Sequence, residues 1–589
     1  MKGAPRSDQF DDIYFSAQDG LAETRHVFMQ GNGLPDFWQD KPTFTIAETG
    51  FGTGLNFLCA WKEFVETADP SQRLDFVSFE KFPLSVAEVH NALKPWAEEL
   101  GEYTQKLIES YPIRIGGFHR IVFDDRVALT LIFGDVNEYI PELEAKVDCW
   151  FLDGFTPAKN PDMWSETLFQ NMARLSAQNS RFATFTAAGD VKRGLQAAGF
   201  SVSKTDGFGR KRDMLVGSYE GGEKEVRSSR PKKVAVIGGG LAGTACAYTL
   251  KQYGFVPVIY EASSSLASGA SGNAVGLFNT RFAALRDTES EFFNSAYAQI
   301  IRTAKQADAI DYHVTGTLHL VNNETKEQRY DKMFKNWHWH EDHIQLLSKE
   351  QASEVAGVEL DHRALYLIDA GALCPAKLCE FYARGIDVHL NHKVESLTDI
   401  EADAYVLANA FGAKDLTDQF LSEVDGLPVY NVRGQVSIVD SSERLKHLKA
   451  NICYGGYVST SASGQQVVGS TFKKWINHTD VLDEDDQENI KYLKDSISAL
   501  SKEMMNIKGA RAGMRLSSQD HFPIVGKVPE LDNVYSSVAF GSHGIVGSIA
   551  AAHLIADQLR GGPYSLPART VKQLNAQRFI DRAQKKNPH

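Results

Sequence analysis

Cysteine is scarce in this sequence, and long apolar runs are absent from it. The six cysteines are scattered over 589 residues, and no CxxC pair or Cys/His cluster indicates a disulfide framework or a metal site. No stretch approaches the roughly 20 apolar residues that span a bilayer. The polar start of the chain also lacks the basic-then-apolar order of a signal peptide. We therefore expect a cytoplasmic protein without a metal, a membrane anchor or an obligate protein partner.

Positive charge is also in deficit, because the formal net charge is -13. This balance argues against indiscriminate nucleic-acid binding but is compatible with local basic patches. Two such patches occur, one at mid-chain and one near the end: Lys204, Arg210, Lys211, Arg212, Lys224, Arg227, Arg230, Lys232 and Lys233, and then Arg569, Lys572, Arg578, Arg582, Lys585 and Lys586. Charge alone favours a solvated linker and a solvated tail.

Length and composition, with 43% hydrophobic and 23% charged residues, fit a soluble protein of two or three domains. Residues 1–217 alternate apolar runs with helical segments, which predicts a parallel sheet covered by helices. The predicted strands are 44–48, 75–80, 127–133, 148–152 and 181–186. A hairpin after residue 199 is expected to add an antiparallel edge strand. The polar segment 218–233 predicts an exposed linker, and a second domain is expected at 234–589.

The first predicted strand leads into a glycine-rich turn that contains Glu48, Gly50, Gly52 and Gly54. Glycines allow a sharp turn and a close approach of a ligand, and the next helix presents its first amides to that ligand. A plain tight turn is the alternative. The acid-x-Gly-x-Gly-x-Gly pattern is typical of Rossmann-like methyltransferases, whereas a dehydrogenase more often shows G-x-G-x-x-G. We therefore infer S-adenosylmethionine as the methyl donor.

Three further acids follow predicted strands, where ligands bind in open α/β sheets. Glu80 is placed to bind a ribose diol, although a surface glutamate is the alternative, and Asp135 is placed to hold the adenine amino group. Asp153 and the aromatic Phe155 follow another predicted strand and are expected at the same edge of the sheet. Methylation of an amine needs its neutral form, and a carboxylate beside the amine orients it and accepts its proton. Asp153 is therefore the predicted catalytic residue and Phe155 a substrate contact, unless Asp153 only caps the following turn.

A second nucleotide motif opens the second domain. Gly238 makes the turn after an apolar strand, Gly240 admits a pyrophosphate, and Gly243 lets the helix pack on the strand. Glu261 ends the next strand, 18 residues after Gly243, and suits a ribose hydroxyl. The whole unit is a dinucleotide fingerprint rather than a chance turn.

The residues after this fingerprint favour FAD over NAD. A small-residue loop with Ser271 and Asn273 is suited to wrapping the pyrophosphate and the flavin, and residues 408–410 resemble a second contact loop of glutathione-reductase-type flavoproteins. Gly544 opens an apolar helix whose N-terminus can stabilise negative charge on a reduced flavin. The predicted fold class is therefore α/β, with a Rossmann-like methyltransferase domain fused to an FAD-binding α+β domain of the glutathione-reductase/D-amino-acid-oxidase type.

Residues 513–526 resemble the signature of the D-amino acid and glycine oxidase group. In that group an arginine binds the substrate carboxylate as a bidentate fork, which makes Arg515 the candidate here. A surface ion pair is the alternative for Arg515. Tyr457 and Arg433 are weaker candidates for the same pocket, because both also fit core-lining strand positions. We assign no catalytic role to His543.

With both halves considered, the chain resembles the bifunctional bacterial enzymes that modify the tRNA wobble uridine to 5-methylaminomethyl-2-thiouridine. The resemblance covers nearly the full length and rests on AETGFGTGLNF, LDGFTPAKNPDMW, DGFGRKRDM, IGGGLAGTACA, LCPAKLC and DHFPIVG, in that order. It implies FAD-dependent oxidation of a carboxymethylaminomethyl group, release of glyoxylate, and methylation of the remaining amine. It also implies that Arg210, Lys211 and Arg212, with the basic linker, contact tRNA phosphates.

Two other functions remain open at this point. One is an enzyme pair that acts on free glycine-type amines and turns over without RNA. The other keeps one half as an inactive domain for RNA binding or scaffolding. An inactive half is disfavoured because the acids of both predicted sites are present: Glu48, Glu80, Asp153 and Glu261.

Overall fold

The computed structural model describes residues 19–221, 232–418, 427–461, 464–474 and 476–586, and the backbone of two short strands before them. Contacts divide the chain into two compact units. The first is Met1–Arg230 with Asp557–Ala568, and the second is Pro231–Ala556 with Arg569–His589. Most of the predicted linker, 222–231, lies outside the described residues. The predicted domain bounds remain a prediction, and they differ from the two units at 557–568.

The strands of the first unit are β1 (Arg6–Ser7), β2 (Asp12–Ile13), β3 (Thr43–Glu48), β4 (Arg73–Glu80), β5 (Gly117–Val122), β6 (Val127–Phe133), β7 (Val147–Phe151), β8 (Ser176–Thr184), β9 (Ser201–Asp206) and β10 (Asp213–Tyr219). Its helices are α1 (Gly20–Thr24), α2 (Leu55–Thr67), α3 (Val86–Leu93), α4 (Ala97–Ser110), α5 (Val136–Tyr139), α6 (Glu166–Leu175) and α7 (Gly189–Ala197).

Eight of these strands form one sheet in the order β5-β6-β4-β3-β7-β8-β10-β9. The five central strands are parallel, and β5, β10 and β9 are antiparallel to their neighbours. Buried aromatic side chains such as Trp61 and Trp150 pack in two core clusters. The chain turns from one half of the sheet to the other at β3, so β3 and β7 flank the switch point where such sheets bind ligands.

The strands of the second unit are β11 (Lys233–Ile237), β12 (Val256–Tyr260), β13 (Gly276–Phe278), β14 (Thr317–Leu320), β15 (Ile344–Leu347), β16 (Ala364–Leu367), β17 (Gly371–Leu373), β18 (Asp387–His389), β19 (Ala404–Leu407), β20 (Val429–Asp440), β21 (Asn451–Cys453), β22 (Tyr457–Val458), β23 (Gln465–Gly469), β24 (Lys473–Lys474), β25 (Ile507–Ser518), β26 (Ile524–Lys527) and β27 (Val534–Val538). The remaining helices are α8 (Leu241–Gln252), α9 (Thr288–Gln306), α10 (Glu324–Trp337), α11 (Lys349–Ala356), α12 (Pro375–Tyr382), α13 (Gly412–Thr417), α14 (Asp483–Ser496), α15 (Gly544–Arg560), α16 (Ala568–Leu574) and α17 (Gln577–Lys586).

The second unit contains two large sheets. One has the order β18-β12-β11-β19-β27-β26 and is parallel except for β26. The other runs β15-β16-β14-β21-β22-β23-β20-β24 with β25 on β20, and all its pairs except β14 with β21 are antiparallel. The parallel sheet carries the glycine-rich turn after β11, and the antiparallel sheet supplies the strands of Tyr457 and Arg515. The expected α/β architecture is therefore present in both units.

Candidate active sites

The first unit has a cavity of about 530 Å³ beside the ends of β3, β4 and β7. That volume lies within the range of small-molecule sites. The predicted site residues that line it are Gly50, Gly52, Glu80, Asp153, Phe155, Arg210 and Lys211. The predicted residues that do not line it are Glu48, Gly54, Asp135 and Arg212.

The glycine-rich turn leaves no room for side chains. A Cβ on Gly50 would lie 3.1 Å from the carbonyl oxygen of Asp153, and Gly54 has a φ of +81° directly before helix α2. Gly52 donates its N–H to Glu80 Oε2 at 2.8 Å, and Phe82 donates its N–H to Glu80 Oε1 at 2.8 Å. Burial raises the pKa of Glu80. The turn thus gives a ligand close access to the backbone, with an acid at its side.

Asn56, which the sequence analysis did not select, joins the two acids at the switch point. Its Nδ2 donates to Glu48 Oε1 at 2.8 Å and to Asp153 Oδ2 at 2.7 Å. The hydroxyl of Thr24 donates to Asn56 Oδ1 at 2.6 Å, which fixes the orientation of the amide. The position of Asn56 in the first turn of α2, directly after the glycines, is the signal that would have identified it.

Both acids are held in an environment that favours their protonated forms. Glu48 is completely buried, and burial together with the charge of Asp153 raises its pKa to about 8. Burial raises the pKa of Asp153 to about 6. Hydrogen bonds from the N–H of Gly154 and the amide of Asn56 lower this pKa, but burial has the larger effect. At neutral pH Asp153 is therefore largely ionised and faces the cavity, whereas Glu48 is largely neutral behind it.

Three predicted cofactor contacts, Glu48, Gly54 and Asp135, do not line this cavity. Asp135 accepts the N–H of Asn137 at 2.9 Å as the cap of α5, and it pairs with Lys81 at 2.7 Å. Lys81 lines the cavity, but Asp135 does not. Its position therefore does not support the predicted adenine contact. Glu48 likewise reaches the cavity only through Asn56.

Aromatic and basic side chains form the rim of the first cavity. Lys211 lies with its Nζ 4.2 Å from the ring centroid of Phe185 and pairs with Glu23 at 3.0 Å. Phe155, Phe208 and Arg210 also line the cavity. A cationic, aromatic rim suits a nucleic-acid strand, because phosphates pair with cations and bases stack on rings.

The second unit has a larger cavity, of about 910 Å³. The predicted residues that line it are Gly238, Gly240, Glu261, Ser271, Asn273, Tyr457, Arg515 and Gly544. Gly243 does not line it, and a Cβ there would lie 1.9 Å from the carbonyl oxygen of Gly238. That distance agrees with the predicted helix-to-strand packing at Gly243.

The glycine-rich turn of the second unit is held in the same way as that of the first. Gly239 donates its N–H to Glu261 Oε2 at 2.7 Å, and Ser263 donates its N–H to Glu261 Oε1 at 2.8 Å. Leu241 donates its N–H to Ser271 Oγ at 3.0 Å, so the small-residue loop closes over the start of α8. These residues fit a dinucleotide, with backbone amides for its pyrophosphate and an acid for a ribose.

Arg515 extends into this cavity from β25. Its Nη2 donates to Ser470 Oγ at 2.7 Å, and its guanidinium packs over Gly434, where a Cβ would lie only 2.6 Å away. Within the described ranges, no carboxylate lies within ion-pair distance of Arg515. Burial lowers the pKa of Arg515, and the same effect raises the pKa of Tyr457 to about 12. An arginine without a protein carboxylate in a cavity is suited to a ligand carboxylate.

Arg433 has a different environment, which overturns its predicted substrate contact. Its side chain is fully buried, forms an ion pair with Asp485, and donates to Gln435 Oε1 at 2.9 Å. It does not line the cavity. Strand β20 pairs Arg433 with Met514 and Val432 with Arg515, so the two arginines occupy adjacent positions in the register. Because side chains alternate along a strand, the side chains of Arg433 and Arg515 lie on opposite faces of the sheet.

His543 lines the same cavity directly before α15. Burial, together with the charges of Arg281 and Arg515, lowers its pKa to about 4, so the imidazole is neutral at physiological pH. Its carbonyl accepts the N–H of Gly547, which forms the first turn of α15. Over the described ranges, no cluster of His, Cys, Asp and Glu is suited to a metal ion, and no helix is long and apolar enough to cross a membrane.

Comparisons with known proteins match both halves of the chain to enzyme families. The family described as FAD dependent oxidoreductase matches residues 233–558, and the S-adenosyl-L-methionine-dependent methyltransferase family matches residues 98–220. The tRNA 5-methylaminomethyl-2-thiouridine biosynthesis bifunctional protein MnmC of Methylobacillus flagellatus is 37% identical, over 98% of this chain and 95% of that protein. The MnmC protein of Idiomarina loihiensis is 36% identical over 98% of each chain.

The chain belongs to the MnmC family. Two solved structures share the fold without close sequence similarity. Glycine oxidase from Geobacillus kaustophilus has a TM-score of 0.51 at 18% identity and covers 59% of this chain and 98% of its own. L-proline dehydrogenase from P. horikoshii has a TM-score of 0.52 at 16% identity, with 60% and 98% covered.

Membership in the MnmC family confirms the predicted fold class and enzyme classes. The chain is a bifunctional enzyme with a methyltransferase and an FAD-dependent oxidoreductase, and its cofactors are S-adenosylmethionine and FAD. The glycine-rich turn of each unit fits its cofactor, because glycines of each turn line the cavity without a side chain and an acid accepts a backbone N–H of the turn.

Proposed function

We propose that this enzyme modifies the wobble uridine of tRNA in two steps. The flavin site removes the carboxymethyl group from 5-carboxymethylaminomethyl(-2-thio)uridine, and the methyltransferase site methylates the resulting 5-aminomethyl(-2-thio)uridine. The observation that carries the proposal is the pairing of two cavities in one chain, with the cation Arg515 lining one and the acid Asp153 lining the other. The names of the relatives support 5-methylaminomethyl-2-thiouridine as the product.

In the flavin cavity, Arg515 binds the substrate carboxylate as a fork and so places the adjacent CH2 group. FAD held in this cavity would supply the two-electron oxidant for this CH2, so that loss of a hydride from the carbon and of a proton from the secondary amine leaves a C=N bond between the two atoms. Water adds to the C=N carbon, and the C–N bond breaks. The products are glyoxylate and a primary amine on the uridine, and an external electron acceptor would be needed to regenerate the oxidant in each turnover.

In the methyltransferase cavity, Asp153 binds the primary amine and removes its proton. S-adenosylmethionine held in this cavity would supply the methyl group, which the lone pair of the neutral amine would accept while the sulfonium becomes a thioether. Asp153 suits this role because it is ionised above pH 6 and its two oxygens are oriented by Asn56 and Gly154. General-base help of this kind contributes roughly 10²–10⁴-fold to a rate.

The charges of the two cavities support the order of the steps. The carboxymethyl group complements Arg515, whereas in the first cavity it would approach the carboxylate of Asp153. The aminomethyl product has lost its carboxylate and carries a cationic amine, so it complements Asp153. Each site therefore favours its own substrate by charge.

Phe155, Arg210 and Lys211 are proposed to hold the anticodon loop at the first cavity, with the two cations on phosphates and the ring on a base. Arg212, which is exposed outside the cavity, is proposed to contact a phosphate further along the RNA. A cytoplasmic location follows from this substrate.

The decisive experiment incubates the purified enzyme with tRNA that carries carboxymethylaminomethyluridine, with and without S-adenosylmethionine, and analyses the nucleosides by mass. We expect aminomethyluridine without the methyl donor and methylaminomethyluridine with it. Oxidation of free glycine or sarcosine without any action on tRNA would instead support the small-molecule enzyme pair. Unchanged product formation after substitution of Gly52 or Gly240 would support an inactive half.

A further inference from the structure

A row of side chains crosses the antiparallel sheet along one wall of the second cavity. His319 of β14 pairs in register with Cys453 of β21, and Cys453 pairs with Tyr457 of β22. Residues paired in register present their side chains on the same face of a sheet. All three line the cavity, and Tyr457 interacts electrostatically with Arg515. The row therefore leads from the proposed carboxylate site at Arg515 to His319.

Asn279 reaches the far part of this wall from the end of β13. Its Nδ2 lies 3.7 Å from the Sγ of Cys453, which is a weak acceptor. In the described part of the chain, neither Asn279 Oδ1 nor His319 Nε2 has a hydrogen-bond partner, although both atoms are buried. A buried polar atom without a partner is destabilising, because it has lost its hydrogen bonds to water. Two such atoms in one cavity wall therefore indicate polar groups on a ligand.

The charge of this wall restricts the ligand class. Burial lowers the pKa of His319 to about 3, so its imidazole is neutral and offers one donor and one acceptor. The ring of Phe282 lies edge-on at 4.9 Å from the imidazole and supports its orientation. Asn279 offers a donor and an acceptor side by side. A neutral ring with alternating donors and acceptors matches this set better than an ion does.

We propose that Asn279 and His319 form a subsite that binds the edge of the pyrimidine base while Arg515 binds the carboxylate of the same substrate. This inference rests on the proposed function. In uracil the N3–H donor lies beside carbonyl or thiocarbonyl acceptors, so the Asn279 amide can accept from N3–H and donate to its neighbour. The subsite makes the site select a carboxymethylamine that is attached to a base over a free one.

The test compares two substrates on the full-length flavoprotein. One is the nucleoside 5-carboxymethylaminomethyluridine, and the other is N-ethylglycine, which has the same carboxymethylamine without a base. Anaerobic flavin reduction gives kcat/KM for each, and their ratio measures base recognition. We expect Asn279→Ala and His319→Ala each to lower this ratio about tenfold, because each removes a hydrogen-bonding side chain that faces the base edge.

Asn322→Ala is the matched control, since Asn322 donates to the carbonyl oxygen of Tyr454 and does not line the cavity. Flavin content and the methyl-transfer rate of each variant report whether the chain is folded. A wild-type kcat/KM that is higher for the nucleoside than for N-ethylglycine, with a lower ratio in both variants, supports the subsite. An unchanged ratio in both variants overturns it while leaving the proposed function intact. Failure of the wild type with both the nucleoside and the tRNA overturns the proposed function itself.

Discussion

Nδ2 of Asn56 lies 2.7 Å from Oδ2 of Asp153, and the same nitrogen lies 2.8 Å from Oε1 of Glu48. One amide group thus uses both of its hydrogens on two acids, and the hydroxyl of Thr24 occupies its oxygen. The amide cannot rotate without breaking all three contacts. Asn56 therefore orients the Asp153 carboxylate toward the cavity, and it does so without lying on the path of the proton.

We expect Asn56→Ala to slow methyl transfer about tenfold, because a hydrogen bond to a charged group contributes about 1.5–3 kcal/mol. The loss should fall mainly on kcat, since the orientation of Asp153 is needed for proton removal. Single-turnover methylation of tRNA that carries aminomethyluridine measures it. The control is Asn171→Ala, whose amide donates to the carbonyl oxygen of Thr167 and accepts from Arg174 on its own helix and does not line the cavity. Equal rates for the two variants would contradict a positioning role.

Asp153 should give methyl transfer a characteristic pH dependence. A carboxylate that accepts a proton must be ionised, and the pKa of Asp153 is raised to about 6. The rate should therefore fall as the pH decreases through about 6. In Asp153→Asn the decrease of the rate near pH 6 should be absent, whereas the dependence on the protonation of the substrate amine at higher pH should remain. This variant should also accumulate aminomethyluridine in tRNA. Fully methylated tRNA from this variant at the normal rate would refute the assignment.

Glu48 should make the free energy of unfolding depend on pH. Its pKa is raised from 4.5 to about 8, so the folded chain keeps a proton that the unfolded chain loses within this range. The contribution of Glu48 to stability is therefore complete below pH 4.5 and is lost as the pH rises toward 8. Glu48→Gln does not titrate and should gain in melting temperature relative to the wild type across this window. Thermal scans of the two proteins between pH 5 and 9 measure the difference, and a constant difference would contradict it.

The glycine-rich turns and the acids that follow the next strands can be predicted from the sequence, because each depends on the conformation of a short segment. Turns with Gly52 or Gly238 need glycine whatever surrounds them, and the acids Glu80 and Glu261 follow at the ends of the next strands. Arg433 was mispredicted, because a basic residue in a strand looks the same whether it faces a ligand or Asp485. That distinction depends on the register of β20 and β25, which joins segments some 80 residues apart.

Asn56, Asn279 and His319 were missed for a related reason. Each is a lone asparagine or histidine. Asn279 and His319 belong to no recognisable motif, and the only signal for Asn56 is its place directly after the glycines. Their importance comes from long-range pairs, such as Asn56 with Asp153 and His319 with Cys453. Asp135 shows the opposite case, because a strand-end acid that fits the pattern is used to cap α5.

Arg515 and Arg433 should respond differently to the same substitution. Arg515→Ala should stop tRNA at the carboxymethylaminomethyl stage with FAD still bound, because it removes the carboxylate site. Arg433→Ala should instead destabilise the fold by about 1–3 kcal/mol, since it removes one of the two cations, Arg433 and Lys473, that pair with the buried Asp485. Flavin release on heating and nucleoside analysis separate the two effects. Loss of the flavin from Arg515→Ala would make Arg515 a cofactor residue.

The basic rim of the first cavity should contribute to tRNA affinity mainly through phosphates. Arg210 and Lys211 lie at the cavity, and Arg212 follows them in the same exposed turn. Removal of one phosphate contact weakens binding at low salt and reduces the slope of log K against log salt by about 1. We therefore expect Arg210→Ala with Arg212→Ala to lower the slope by about 2 without changing which wobble uridines are modified.

Binding titrations between about 50 and 200 mM salt measure this slope, with Lys192→Ala and Arg193→Ala on α7 as the charge-matched control. An equal change in slope for the control pair would mean that the net charge of the chain, rather than this rim, sets the affinity.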